Sequence, residues 1–131
     1  MARPTKERRV EFIPEIKYFK PAGIPMRDIE EVSLTIEEVE AIRLKDIEFL
    51  NQEEAAGRMN VSRATFQRVL TEARKKVAEA LIMGKGIRFR GGDYKLAEYL
   101  DCPKCGEKFR VRFHGRYGHG ARRRYCPDCE E

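Results

Sequence analysis

Asn51–Gly84, NQEEAAGRMNVSRATFQRVLTEARKKVAEALIMG, reads as a short helix, a tight turn and a long basic helix. Asn51 with Glu54 three residues on makes a capping-box-like pair, and Ser62 can accept from the free amides of the next helical turn. Between them, Gly57-Arg58-Met59-Asn60-Val61 ends the first helix and reverses the chain. In the second helix Phe66, Val69, Leu70, Ala73, Val77, Ala80 and Leu81 recur with the period of one helical face. At about 100° per residue the opposite face carries Ala64, Arg68, Thr71 and Lys75, flanked by Arg63 and Gln67. A short helix, a turn and a helix with Arg, Gln and Thr outward is the arrangement that enters a DNA major groove. The plainer alternative is a solvated helical hairpin in an ordinary bundle.

Working outward, 131 residues hold one ordinary domain, or a small domain plus a metal-stapled one. With 41% of residues apolar and 37% charged, the core is expected to be modest. The net charge of +5 is unevenly spread: residues 28–54 carry ten acidic and two basic groups, residues 58–92 nine basic and two acidic. Such segregation points to a polyanionic partner. There is no apolar run of membrane-spanning length and no apolar signal core at the N-terminus. A cytoplasmic, nucleoid-associated protein is therefore expected. No nucleophile-base-orienter set is present, so an enzyme is not expected.

Residues 1–27 read as a basic arm followed by a Pro/Gly loop, with Arg3, Arg8 and Arg9 available to phosphates or a minor groove. Residues 28–92 read as the helix-turn-helix domain. Thr35 and Glu38 form a capping box opening a helix from Ile36 to about Phe49. Val39, Ile42, Leu44, Ile47 and Leu50 are its expected core, and Glu37, Glu38, Glu40, Asp46 and Glu48 its expected solvated face. Gly86–Arg90 reads as a short extended piece with Arg88 and Arg90 on one face, and Gly91-Gly92 as a hinge.

Residues 93–131 contain all four cysteines, as Cys102-Pro-Lys-Cys105-Gly and Cys126-Pro-Asp-Cys129, with twenty residues between the pairs. Two C-x2-C turns at this spacing present four thiolates to one tetrahedral zinc. Between them Phe109–Phe113 alternates apolar and basic residues as a strand does, and Arg122–Tyr125 reads as its return. With four thiolates at hand, His114 and His119 are read as loop residues. A closed four-thiolate site is structural, and replaces a core that a unit of about 30 residues cannot build. The expected fold is thus mainly α, with a small β zinc ribbon appended.

Thr35–Leu44 with Gln52–Ala56 and Val61–Phe66 resembles the region-4-like helix-turn-helix of bacterial sigma factors. Arg8-Arg9-Val10, Tyr18–Pro25, the helix-turn-helix and Gly84-Lys-Gly-Ile87 are similar to UPF0251 (DUF134), a family of predicted prokaryotic DNA-binding proteins, over about residues 1–92. Two positions depart from that pattern: Glu11, where many relatives carry Cys, and Ala64, where Pro is common. The resemblance implies DNA binding, and with it transcriptional regulation.

The leading expectation is sequence-specific binding of double-stranded DNA by the helix 63–83. Arg63, Ala64, Gln67, Arg68 and Thr71 lie nearest base edges, Ser62 is a further DNA-binding residue, and Arg74, Lys75 and the arm lie on phosphates. A homodimer is compatible with this. The alternatives are an adaptor that offers its acidic 28–54 surface and its ribbon to RNA polymerase or another protein, and an RNA-binding protein.

Overall fold

The computed structural model describes residues 7–97, 99–102 and 104–110 of the chain. Three helices form where the capping residues stand. Thr35 Oγ1 accepts from Glu38 N at 3.2 Å while Glu38 Oε1 accepts from Thr35 N at 2.8 Å, the complete capping box, opening α1 (Ile36–Ile42). Asn51 Oδ1 accepts from Glu54 N at 2.8 Å and opens α2 (Gln52–Arg58). Ser62 Oγ accepts from Thr65 N at 3.1 Å and opens α3 (Arg63–Met83).

The helices pack around Ala41, Leu44, Leu50, Ala55, Ala56, Met59, Phe66 and Leu70, with Ile42, Val61 and Val69 against them. The stripe on α3 is buried at Phe66, Leu70, Ala73 and Ala80, but Leu81 is exposed. The expected inward position of Ile47 is also corrected. Beyond α1 the segment Arg43–Ile47 winds more widely, with Glu48 N bonded to Arg43 O at 3.0 Å. The wider turn accommodates one more residue and rotates the chain beyond it. Leu44 and Leu50 therefore reach the core, while Ile47 and Phe49 face solvent.

The fold is mixed α and β rather than mainly α, because short strands join distant parts of the chain. β1 (Arg8–Val10) pairs in parallel with β5 (Tyr94–Leu96). β2 (Tyr18–Phe19), β3 (Glu31–Leu34) and β4 (Gly86–Phe89) form a three-stranded sheet with β4 in the middle, antiparallel to β2 and parallel to β3. β6 (Tyr99–Asp101) and β7 (Lys108–Arg110) form an antiparallel hairpin. Strands of two to four residues carry too little alternation to be read one at a time. Among the described residues no helix is long and apolar enough to cross a membrane.

The largest correction concerns the carboxylates of α1. Glu37, Glu38 and Glu40 are not a solvated face but are 5%, 6% and 0% exposed. Each finds donors on other elements. Glu37 Oε2 accepts from Arg8 Nη1 at 3.3 Å and Asp93 N at 3.1 Å. Glu38 takes Lys76 Nζ at 2.9 and 3.1 Å on its two oxygens. Glu40 takes Arg43 Nε at 2.6 Å and Glu11 N at 2.6 Å. Glu11, itself buried, also accepts from Arg43 Nη2 at 3.0 Å and from Arg58. A buried charge is tolerated only when paired and hydrogen-bonded; each of these carboxylates has such a partner, while Glu37 Oε1 is left without a hydrogen bond among the described residues.

Gly91-Gly92 is likewise no simple hinge. Gly91 O accepts from Ile36 N at 3.2 Å at the start of α1, and a side chain at Gly92, where φ is 106°, would overlap the Glu37 carboxylate.

Candidate nucleic-acid interface

The turn Met59–Ser62 and the cap at its end fix where α3 begins. Asn60 adopts φ 57°, a conformation Asn tolerates better than most residues, and Val61 N returns to Ala56 O at 3.0 Å. From Ser62 onward the helix shows two faces. Phe66, Leu70 and Ala73 are buried against α1 and α2, whereas Arg63, Ala64, Gln67, Arg68, Thr71, Arg74 and Lys75 are exposed. The structure thus brings the sequence-predicted α3 residues onto one solvent-facing side.

These side chains are not equivalent. Gln67 donates from Nε2 to Thr71 Oγ1 at 3.2 Å and accepts, through Oε1, from Gln52 Nε2. Gln52 Oε1 in turn accepts from Arg63 Nε at 3.2 Å. Gln52, at the first position of α2, was not among the predicted site residues. No local sequence signal marks it, because its partners lie across the turn. Arg74 is committed to Asp46, with Nε at 3.2 Å from Oδ2 and Nη2 on Oδ1, which leaves it half-exposed and partly neutralised. Those two hydrogen bonds hold the Arg74 guanidinium above its ordinary range. Arg68 and Lys75 make no ion pair among the described residues.

The predicted arm is divided. Arg3 lies outside the described residues. Arg8 points inward, with its side chain 17% exposed and its guanidinium on Glu37. Arg9 is half-buried, with its backbone N on Met59 O at 2.9 Å and its side chain on Tyr99 O. Arg88, read from the sequence as sharing one face of a short extended piece with Arg90, is bidentate to Glu31 at 2.8 and 3.3 Å and lies 4.3 Å over the Tyr18 ring. The charge segregation seen in the sequence is therefore partly internal. Acidic residues 28–54 and basic residues 58–92 meet at Asp46–Arg74, Glu38–Lys76, Glu30–Lys85 and Glu31–Arg88.

Of the four cysteines, Cys102 and Cys105 are described, and Cys126 and Cys129 lie outside the described residues together with His114 and His119. Cys102 is buried and Cys105 exposed, on the loop that joins β6 to β7. Cys102 N donates to Glu107 O and Gly106 N to Cys102 O, both at 2.8 Å, and Gly106 has φ 77°, which closes the turn tightly. Both cysteines thus stand on one short turn. Among the described residues no three His, Cys, Asp or Glu ligands stand together.

The family described as "Protein of unknown function DUF134" matches residues 1–97. A UPF0251 protein of Halothermothrix orenii is 67% identical over 132 residues, spanning 100% of this chain and 96% of that protein. One from Pelotomaculum thermopropionicum is 50% identical over 130 residues, spanning 98% and 93%. Another, from Desulforudis audaxviator, is 59% identical over 106 residues, spanning 80% and 69%. No solved structure matches the chain.

Proposed function

The chain belongs to the DUF134 family of proteins of unknown function, and from that premise we propose that it binds double-stranded DNA sequence-specifically as a transcriptional regulator. In this reading α2, the turn and α3 act as a helix-turn-helix, with the N-terminal half of α3 in the major groove. The observation that carries it is the division of α3 into a buried apolar face and an exposed face bearing Arg63, Ala64, Gln67, Arg68 and Thr71.

Arg68, which no carboxylate neutralises among the described residues, is the side chain best suited to a guanine edge, and Gln67 suits adenine. The Gln52–Gln67–Thr71 hydrogen bonds favour one orientation of the Gln67 carboxamide before DNA arrives. Ser62 lies at the tip of the helix, while Lys75 and, less strongly because of Asp46, Arg74 serve the phosphates. Arg3 and Arg9 remain arm contacts in this proposal, whereas Arg8 is committed to Glu37.

The adaptor alternative loses support, because three carboxylates of the supposed acidic surface are buried in ion pairs.

We further propose that Cys102, Cys105, Cys126 and Cys129 hold one zinc ion. The tight turn between Cys102 and Gly106 fits a thiolate pair, and the metal supplies structural cross-linking where little apolar core is available.

Selection of bound duplexes from a random pool by the full chain tests the function. Enrichment of a defined sequence supports it, and a pool that stays random, or no retention of duplex at low salt, overturns it.

A further inference from the structure

A cleft of about 420 Å³ opens between the N-terminal strand, β5 and the β6–β7 hairpin, lined by Glu7, Arg9, Asn60, Lys95, Tyr99 and Lys108 over a floor of Leu96 and Ala97. Three of its charged residues are cations and one is an anion, and among the described residues none of Arg9, Lys95 and Lys108 makes an ion pair. Elsewhere the fold pairs many of its cations: Arg8, Arg43, Arg58, Arg74, Lys76, Lys85 and Arg88 all have carboxylate partners.

Two of the cleft's cations are also set side by side by the backbone. Arg9 and Lys95 are direct partners in the parallel β1–β5 pair, an arrangement in which like charges repel across a strand spacing of about 4.8 Å. Arg9 is held there by its backbone N on Met59 O at 2.9 Å, and its side chain reaches over to Tyr99 O. An uncompensated like-charge pair costs stability, and a bound anion would relieve that cost.

The cleft also has a defined place relative to α3. Asn60 lines it and stands three residues before Arg63, so the edge of the cleft at Asn60 lies within about 11 Å of the helix start by chain reach alone. That matches the scale of a major groove, about 12 Å wide, whose floor the helix would read and whose lip carries phosphates.

We propose that this cleft seats the phosphodiester backbone of the duplex that α3 reads, with Lys95 and Lys108 as its principal phosphate contacts and Arg9 beside Lys95. The inference rests on the proposed function and extends the DNA contact to the β1–β5 pair and the hairpin. Tyr99, half-exposed at 50%, offers its ring to the sugar edge of the strand.

The test uses the full chain and the duplex selected by the wild-type protein. Lys95→Gln/Lys108→Gln should lower the slope of log K against log salt by about two, one for each phosphate no longer neutralised, and leave the selected sequence unchanged. Phosphate-ethylation interference should disappear at phosphates flanking the bases that Arg68 reads. The thermal midpoint should be equal or higher, since Lys95→Gln removes a like-charge neighbour of Arg9. If the double variant melts early, Lys108→Gln alone, outside the β1–β5 pair, should still lower the slope by about one. Unchanged slope and interference, with Arg68→Ala still altering preference, overturn the cleft and leave the reading of α3 standing. A wild-type chain that binds no duplex removes both. Loss of structured RNA with duplex binding retained also overturns the proposal and makes RNA the occupant.

Discussion

The carboxylate of Glu11 and the guanidinium of Arg58, 47 residues apart in sequence, are joined by two hydrogen bonds, one from Nε to Oε2 at 2.8 Å. Arg43 adds a third from Nη2 at 3.0 Å, and the Glu11 backbone N reaches Glu40 at 2.6 Å. One buried residue after β1 thus ties the N-terminal strand to α1 and to the end of α2.

Removing this carboxylate leaves two guanidiniums facing one another with a shared partner gone. Glu11→Ala should destabilise the protein by about 3–5 kcal/mol, the usual cost of breaking a buried pair from one side. Glu11→Gln, which keeps an acceptor, should cost less. Urea unfolding midpoints for the two variants check the order, and equal stability of wild type and Glu11→Ala would show the cluster contributes nothing.

Arg68→Ala should change which sequences are selected and weaken the preferred site by about 1–3 kcal/mol, with little effect on melting. Lys75→Ala should instead weaken all duplexes alike and lower the salt slope by about one. Phe66, fully buried between the helices, is the control: Phe66→Ala should reduce binding through unfolding, at about 3–5 kcal/mol. A folded Arg68→Ala variant with unaltered preference means that α3 does not read bases at this position.

Acid should act on two glutamates in opposite senses. Burial pushes the Glu40 carboxyl above its ordinary value of 4.5, against the pull of Arg43. Its contribution to stability is therefore full below that value and is lost as pH rises through the folded-state value. Hydrogen bonds from Arg88 hold Glu31 below 4.5, so its contribution is present above that value and is lost as pH falls through the folded-state value. Over roughly pH 2 to 7, the melting temperature of Glu40→Gln should gain on wild type as pH rises above 4.5, and that of Glu31→Gln should gain on it as pH falls below 4.5. Melts across this range decide it, and the reverse ordering refutes the assignment.

Protein purified under reducing conditions should carry one zinc per chain and release it to strong chelators or at acid pH, because the ligands must be thiolates. Metal analysis beside circular dichroism should find the hairpin signal lost and the α2–α3 helices retained. A metal content near zero would remove zinc from the proposal.

The sequence by itself determined the three helix starts and the outward face of α3. The Thr35, Asn51 and Ser62 caps bond three residues ahead, and a helical face repeats within a few residues, so both are written in consecutive letters. Only the tertiary structure decided the fate of the charges. Glu37, Glu38 and Glu40 look solvated in sequence because their partners Arg8, Lys76 and Glu11 stand 29, 38 and 29 residues away. The same holds for Gln52, which reaches Gln67 across the turn, and for the pairing of β1 with β5, which sets Arg9 beside Lys95. Strands this short gain their hydrogen bonds only from a partner, and a buried carboxylate its stability only from a donor. Neither is encoded until the chain has closed on itself.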